Sequence, residues 1–176
     1  MTETMTALNT LQFMGFTLRP ASFADMRLAT LWTEADAEHC GRVKPEFWVE
    51  QRNGVDSYLM EDGKGPVFFF KVMLCTLQRQ KAAYTLPKKG AEVHIQFMPV
   101  GTEEDAERTR TALTLGLEWL EPVLEQAATE EIFFDSGNEK LIGFATKRLG
   151  FCGDGVKRLN GERRLWKRLG AAAKGA

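Results

Sequence analysis

One segment near the middle of the chain is apolar at almost every position: Val67-Phe-Phe-Phe-Lys-Val-Met-Leu-Cys75. A strand with one face in water alternates apolar and polar residues, whereas a strand covered on both faces does not. The segment is therefore predicted to be a central strand that is buried on both faces. The Asp-Gly turn within Glu61–Gly65 predicts that it forms a hairpin with Asp56–Met60.

The strand predicted next, Ala91–Met98, alternates instead. One face carries Val93, Ile95 and Phe97, and the other carries Glu92, His94, Gln96 and Met98. Pro99 ends this strand because proline has no backbone N–H to donate. Titratable side chains on a half-buried strand are candidates for proton transfer.

The rest of the chain alternates between strand and helix patterns. Lys88-Lys89-Gly90 is predicted to be a turn between strands, and Phe151–Leu159 and Glu162–Leu169 are predicted to be the last two strands. The predicted order is β-α-α-β-β-β-α-β-α-β-β, which indicates an α+β fold with a central, mostly antiparallel sheet flanked by helices. The long helix follows a capping box at Thr102–Asp105, and Pro122 is expected to disturb it near its end. Residues 1–14 are predicted to be a loose leader, 15–169 a single domain and 170–176 a flexible tail.

Composition excludes several classes of protein. No apolar run approaches the roughly 20 residues that span a bilayer, and Met1–Thr10 lacks the pattern of a signal peptide, so a cytoplasmic protein without a membrane partner is expected. The three cysteines match no metal-binding spacing, and no metal is expected. Bases dominate Lys147–Lys174 and acids dominate Glu103–Glu131; the net charge of −1 argues against a nucleic-acid partner.

Three features together resemble the GNAT superfamily of acyl-CoA-dependent N-acyltransferases. They are the strand Phe16-Thr-Leu-Arg-Pro20, the order of elements, and the segment NEKLIGFATKRLGF at Asn138–Phe151, whose helix ends in Gly-Phe. The resemblance implies a GNAT-like fold, acetyl-CoA or another acyl-CoA as cofactor, and a small-molecule or peptide amine as acceptor. It leaves the oligomeric state open, a dimer included.

In the family, a loop with the pattern Gln/Arg-x-x-Gly-x-Gly/Ala closes on the cofactor's pyrophosphate, because glycines let backbone N–H groups approach it. If Ala112-Leu113 takes the place of the small-Leu pair that follows this loop in the family, the corresponding positions here are Asp105–Arg110, and both glycine positions are then arginine. The resemblance implies cofactor contacts from two groups of residues. They are the backbone of Gln96, Phe97, Met98 and Val100 together with Asn138 for the pantetheine arm, and Arg108, Thr109 and Arg110 for the phosphates.

Each of these roles has a structural alternative. The acids around Arg108 and Arg110 favour a helix that caps itself and has little affinity for CoA. Asn138 is better suited to cap the last helix than to contact the cofactor. The resemblance implies Glu92 or His94 as the base, although both also suit a solvated strand face. The family's tyrosine acid is absent, since Thr146 stands at its position and no tyrosine follows Tyr84.

Two functions follow from these observations. The first is a divergent N-acyltransferase that moves an acyl group from acyl-CoA to a primary amine. The second is a GNAT-fold protein without catalysis that binds a partner or serves a structural role. For the second, the missing glycine loop and the Arg-Pro start are similar to degenerate acetyltransferase-like virion proteins of tailed phages.

Overall fold

The computed structural model describes residues 10–77 and 87–170. Within them, the strands are β1 Leu11–Phe13, β2 Phe16–Pro20, β3 Val55–Asp62, β4 Gly65–Leu77, β5 Lys88–Phe97, β6 Glu131–Ser136, β7 Cys152–Gly153 and β8 Arg163–Arg168. The helices are α1 Met26–Ala35, α2 Glu103–Gln126 and α3 Glu139–Arg148, with short 3-10 helices at Phe23–Asp25 and Pro45–Val49. The strand order is β1-β2-β3-β4-β5-β6-β8-β7. The sheet is mixed, because β5 and β6 are parallel and the β1–β2, β2–β3, β6–β8 and β7–β8 pairs are antiparallel.

The chain divides by its internal contacts into two compact units. The first unit comprises Met1–Val72 and His94–Glu118. Its core is built on the first half of β4, where Val67 to Val72 are all buried, and Trp32 of α1 packs edge-on against Phe69 with ring centroids 5.5 Å apart. The central strand predicted from the apolar run Val67–Cys75 is therefore present, and it is buried as far as Val72 and half-buried from Met73 to Cys75.

The second unit comprises Met73–Val93 and Trp119–Ala176. In it β6 pairs in parallel with β5 through Gly90–Glu131, Ala91–Ile132 and Glu92–Phe133, and antiparallel with β8 along its whole length. Phe134 of β6 packs edge-on against Phe151, the residue that follows the C-terminal Gly of α3. The Gly-Phe pair that follows α3 has a structural reason. Gly150 adopts a φ of 78°, which glycine tolerates, and the chain then reverses so that Phe151 is buried.

Several boundaries differ from the predictions. β1 lies inside the segment predicted to be a loose leader, since Leu11–Phe13 pairs with β2. Lys88-Lys89-Gly90, predicted to be a turn, begins β5, and only Cys152–Gly153 is a strand within the run predicted as Phe151–Leu159. Pro122 lies inside α2, which continues to Gln126. Residues 1–9 of the leader and 171–176 of the tail lie outside the described residues, and the single domain at 15–169 stays a prediction.

A lysine in the middle of β4 is fully buried. Lys71 Nζ donates to the Phe47 carbonyl at 2.9 Å and to the Glu50 carboxylate, and it lies 3.6 Å from the centre of the Phe47 ring. Burial lowers the pKa of Lys71, while the Glu50 hydrogen bond opposes that shift. These contacts tie the Pro45–Val49 helix to the central strand.

Removal of the Glu50 carboxylate should therefore destabilise the fold. We expect Glu50→Ala to cost about 2 kcal/mol in the free energy of unfolding by urea, because it leaves a buried ammonium without its charged partner. Arg52→Ala is the matched control: it removes the other partner of the same carboxylate, which is exposed, and should cost less than about 0.5 kcal/mol. Equal losses in the two variants would contradict the role given to Lys71.

Candidate functional site

A buried amide joins β5 to the segment that follows α1. The Gln96 side chain is completely buried, and its Nε2 donates to Asp36 Oδ2 at 2.9 Å and to the Phe97 carbonyl at 3.2 Å. Its Oε1 lies 2.8 Å from His39 Nδ1. We call Asp36, His39 and Gln96 the histidine cluster. It presents a partly exposed imidazole that is held by a buried partner.

The Pro45–Val49 helix contacts both histidines of the chain. Trp48 is tilted against the His39 ring with centroids 5.3 Å apart, and Phe47 meets the His94 ring edge-on at 5.2 Å. Proline at the first position of this helix suits its start, since no N–H is needed there. The two aromatic residues thus give each imidazole a fixed neighbour.

The residues predicted to hold pantetheine direct their backbone groups to different edges of β5. Met98 donates its N–H to the Val67 carbonyl on β4 at 3.0 Å. Because successive residues of a strand direct their backbone groups to opposite edges, Gln96 shares this β4-facing edge, and Phe97 directs its groups to the other edge. Val100 follows the strand and is exposed. The pantetheine role of these four residues stays a prediction.

The two residues predicted as bases have different surroundings. Glu92 belongs to the second unit and lies near Cys75 and Arg164: burial raises the pKa of the Cys75 thiol, and the Glu92 carboxylate raises it further. The pKa of Arg164 is raised chiefly by its hydrogen bond to Asp135, with a further contribution from Glu92. His94 belongs to the first unit and contacts Phe47. Their catalytic role stays a prediction.

Arg108 directs all five of its N–H groups to acceptors within the protein. Nε and Nη2 donate to the two oxygens of Asp62 at 2.6 Å each, and Nη2 also donates to the Gly65 carbonyl at 3.3 Å. Nη1 donates to Asp105 Oδ1 at 3.3 Å and to Met98 Sδ at 3.8 Å. This arrangement, with Lys64 paired to Glu104, fixes the turn between β3 and β4 against the first turns of α2. We call it the hairpin–helix clamp.

The other predicted phosphate ligands also have partners within α2. Arg110 is paired with Glu103 and Glu107, both well exposed, and its own side chain is 40% exposed. The Thr109 hydroxyl donates to the Asp105 carbonyl at 2.8 Å. Asp105 N–H donates to Thr102 Oγ1 at 3.1 Å, so the start of α2 is capped by its own residues. The three positions lie inside the helix rather than in a loop before it, and their role in binding phosphate stays a prediction.

Asn138 and Thr146 have local partners on α3. Asn138 Oδ1 accepts from the N–H groups of Lys140 and Leu141, each at 3.1 Å, which makes it the N-cap of the helix. The Thr146 hydroxyl donates to the Ile142 carbonyl at 2.9 Å. The capping interpretation of Asn138 is therefore confirmed, and its contact with a cofactor stays a prediction.

Solved structures of acetyltransferases are similar to this chain. The GNAT domain of S. lividans PAT has a TM-score of 0.59 at 16% identity, with 88% of this chain and 90% of that chain covered. The aminoglycoside N(6')acetyltransferase from Legionella pneumophila has a TM-score of 0.58 at 10% identity, with 94% and 99% covered. Mutant forms of the spermidine/spermine N-acetyltransferase from Vibrio cholerae give 0.57 at 15% identity, with 92% and 99% covered.

This chain has the GNAT fold. The predicted fold class is thus confirmed, and at such identities the likeness of the GNAT-fold protein to these enzymes concerns the fold alone. No protein-family model and no curated protein matches its sequence. Among the described residues no group of histidine, cysteine and acidic side chains could hold a metal ion, and no helix there is long and apolar enough to cross a membrane.

Three functional candidates escaped the sequence analysis: Asp36, His39 and Asp62. Asp36 and His39 lie in a segment without apolar periodicity, and Asp62 belongs to a turn that needs an aspartate for local reasons, since its Oδ1 also accepts from the Lys64 N–H. No spacing along the chain links Asp62 to Arg108, which is 46 residues away. The Asp62-Gly63 pair was recognised in the sequence only as a turn of a hairpin, and this pattern does not indicate a contact with Arg108.

The clamp predicts a loss of stability in acid. The Arg108 hydrogen bond holds the pKa of Asp62 below its usual value. The stability that this carboxylate contributes is complete above the ordinary aspartate pKa, about 4, and is lost as the pH falls through the lowered value. We expect Asp62→Asn to cost about 2 kcal/mol in urea unfolding at pH 7, and the difference from wild type to shrink towards about pH 2.

Lys64→Ala serves as the control for this prediction. It removes the exposed ion pair of the same turn with Glu104, and it should cost less than about 1 kcal/mol. A difference between Asp62→Asn and wild type that stays constant down to about pH 2 would show that Asp62 does not act as a charged partner of Arg108.

Proposed function

We propose that this GNAT-fold protein transfers an acetyl or other acyl group from an acyl-CoA to a primary amine. The observation that carries the proposal is the fold match to acetyltransferases over nearly the whole of both chains. The acceptor class follows the same neighbours, whose names specify an aminoglycoside and spermidine or spermine, both of which carry amino groups. Function depends on the site rather than on the fold, so acyl transfer also requires residues that hold the cofactor and take a proton from the amine.

In this proposal Arg110, rather than Arg108, is the main ligand of the cofactor's phosphates. Its partners Glu103 and Glu107 are exposed carboxylates, so exchanging them for a phosphate costs little. Arg108 has a structural task, because a phosphate that binds it must displace Asp62 or Asp105. The pantetheine arm lies along Phe97, and a base must take a proton from the ammonium form of the amine before the amine attacks the thioester.

A second candidate function is a GNAT-fold protein that binds a partner or serves a structural role without catalysis. The hairpin–helix clamp favours this candidate. The Asp62 carboxylate accepts two parallel hydrogen bonds from the Arg108 guanidinium, and a phosphate would need the same two N–H groups. Glu103, Glu104 and Asp105 in the first turn of α2 also repel a polyphosphate from the positive end of the helix. This candidate predicts that acyl-CoA does not bind.

Calorimetric titration with acetyl-CoA and with S-acetylpantetheine separates the two candidates. We expect acetyl-CoA to bind with a micromolar dissociation constant and more tightly than S-acetylpantetheine, which lacks the phosphates. Arg110→Glu should weaken acetyl-CoA at least about tenfold, because a charge-assisted hydrogen bond is worth about 1.5 kcal/mol or more. The same variant should leave S-acetylpantetheine unchanged.

Arg27→Glu is the control for the change of charge, since Arg27 lies exposed on α1. It should bind acetyl-CoA as the wild type does. No heat and no thermal shift at millimolar acetyl-CoA would reject the acyltransferase and favour the second candidate. Asp62→Asn then offers a direct check of the clamp: binding that appears only in this variant would show that Asp62 blocks the phosphate position.

A further inference from the structure

The orientation of the buried Gln96 amide is fixed by its partners. Nε2 faces the Asp36 carboxylate and the Phe97 carbonyl, and an ionised carboxylate and a carbonyl only accept hydrogen bonds. The oxygen Oε1 therefore faces His39 Nδ1 at 2.8 Å. Because an amide oxygen cannot donate, Nδ1 must carry the hydrogen of this bond. The network thus selects one tautomer of His39.

The selected tautomer leaves the lone pair of the neutral imidazole on His39 Nε2. The ring cannot turn to another orientation without losing the bond to Gln96 and the contact with Trp48. Asp36 Oδ2 lies 3.3 Å from Nδ1, so a positive charge formed on the ring faces a carboxylate. The side chain is 22% exposed, which lets a ligand reach it. These are the properties of a proton acceptor held in position by two polar residues.

We infer that His39 is the proton acceptor for the incoming amine, with Asp36 and Gln96 as positioning residues. The inference rests on the proposed acyl transfer. Gln96 belongs to β5, the strand whose other edge is proposed to carry the pantetheine arm, so one strand organises both the base and the thioester. His94, the other histidine, contacts the apolar ring of Phe47 edge-on.

The proposed transfer begins with the acceptor as an ammonium ion, and His39 Nε2 takes one of its protons. The amine lone pair attacks the thioester carbonyl carbon, the C–N bond forms and the C–S bond breaks. A second proton of the former ammonium ends on the sulfur of CoA, and His39 returns its proton to water. The products are therefore a neutral amide, the free thiol of CoA and the histidine in its starting state.

The substitution His39→Asn can remove the proton acceptor and keep the hydrogen bond. The shorter side chain would place an amide N–H near the position of the imidazole Nδ1, so the bond to Gln96 survives while Nε2 is lost. With acetyl-CoA and spermidine or an aminoglycoside, we expect kcat to fall about 100-fold or more, with acetyl-CoA affinity by calorimetry unchanged. The acid limb of the pH profile of kcat should move to the higher pH at which the acceptor amine itself loses its proton, and His94→Asn should keep the wild-type limb.

The groups that contact the His39 ring limit the interpretation of that pH profile. Asp36, on the same segment, is a charged group that contacts the ring, whereas the contacts from β5 and from the Pro45–Val49 helix come from Gln96 and Trp48, which do not titrate. Glu34→Gln, an exposed change on α1, is the charge control. Wild-type turnover in His39→Asn, or displacement of the acid limb in His94→Asn instead, would overturn the inference.

The tautomer can be measured without any turnover. A long-range proton–nitrogen correlation spectrum at a pH where the imidazoles are neutral should show one His39 tautomer with hydrogen on Nδ1, and Gln96→Leu should abolish this single tautomer. Hydrogen on Nε2 in the wild type would overturn the inference even if acetyl-CoA binds. Failure of acetyl-CoA to bind the wild type would instead reject the proposed function, so the two failures are distinguishable.

Discussion

In the first unit, the hydrogen bonds of the Arg108 guanidinium hold the segments that pack around the start of α2. The guanidinium joins the β3–β4 turn, the end of β5 and the first turns of α2 through Asp62, Met98 and Asp105. All five N–H groups are used, which a lysine could not reproduce because it has three donors on a point charge. The same property opposes the use of Arg108 as a phosphate ligand, because any phosphate must first displace a carboxylate.

The Pro45–Val49 helix is a second element that holds several side chains of the first unit in place. Its aromatic residues contact both histidines, and its Phe47 carbonyl and ring receive the buried Lys71 ammonium. A buried charge of this kind adds little net stability compared with an apolar residue, but it requires its partner residues to stay in place. The helix is thereby fixed beside β4, where Trp48 holds the His39 ring.

The parts of the fold that the sequence predicted are those with strong local patterns. The apolar run of β4, the presence of β5 as a strand, and the capped helices α2 and α3 depend on period and on capping residues close in the chain. The two faces of β5 were not predicted correctly beyond Val93, because Gln96 and Met98 are buried while Ile95 and Phe97 are half-buried. The short strand β1 was missed because Leu11–Phe13 has no pattern beyond three residues and is defined by pairing with β2. Lys88 and Lys89 were predicted to form a turn because charge and glycine suggested it, whereas they begin β5, which pairs with β6 from Gly90 onward.

The sequence by itself determined the fold class, through the order of its elements along the chain. It also determined the burial of the first half of β4 and the caps of the helices, because these depend on residues within a few positions of one another. The tertiary structure alone decided how the charged side chains are used. Asp62 lies 46 positions from Arg108 and Gln96 lies 57 from His39. No periodicity connects such residues, since their contact results from the pairing of strands and the packing of helices on them.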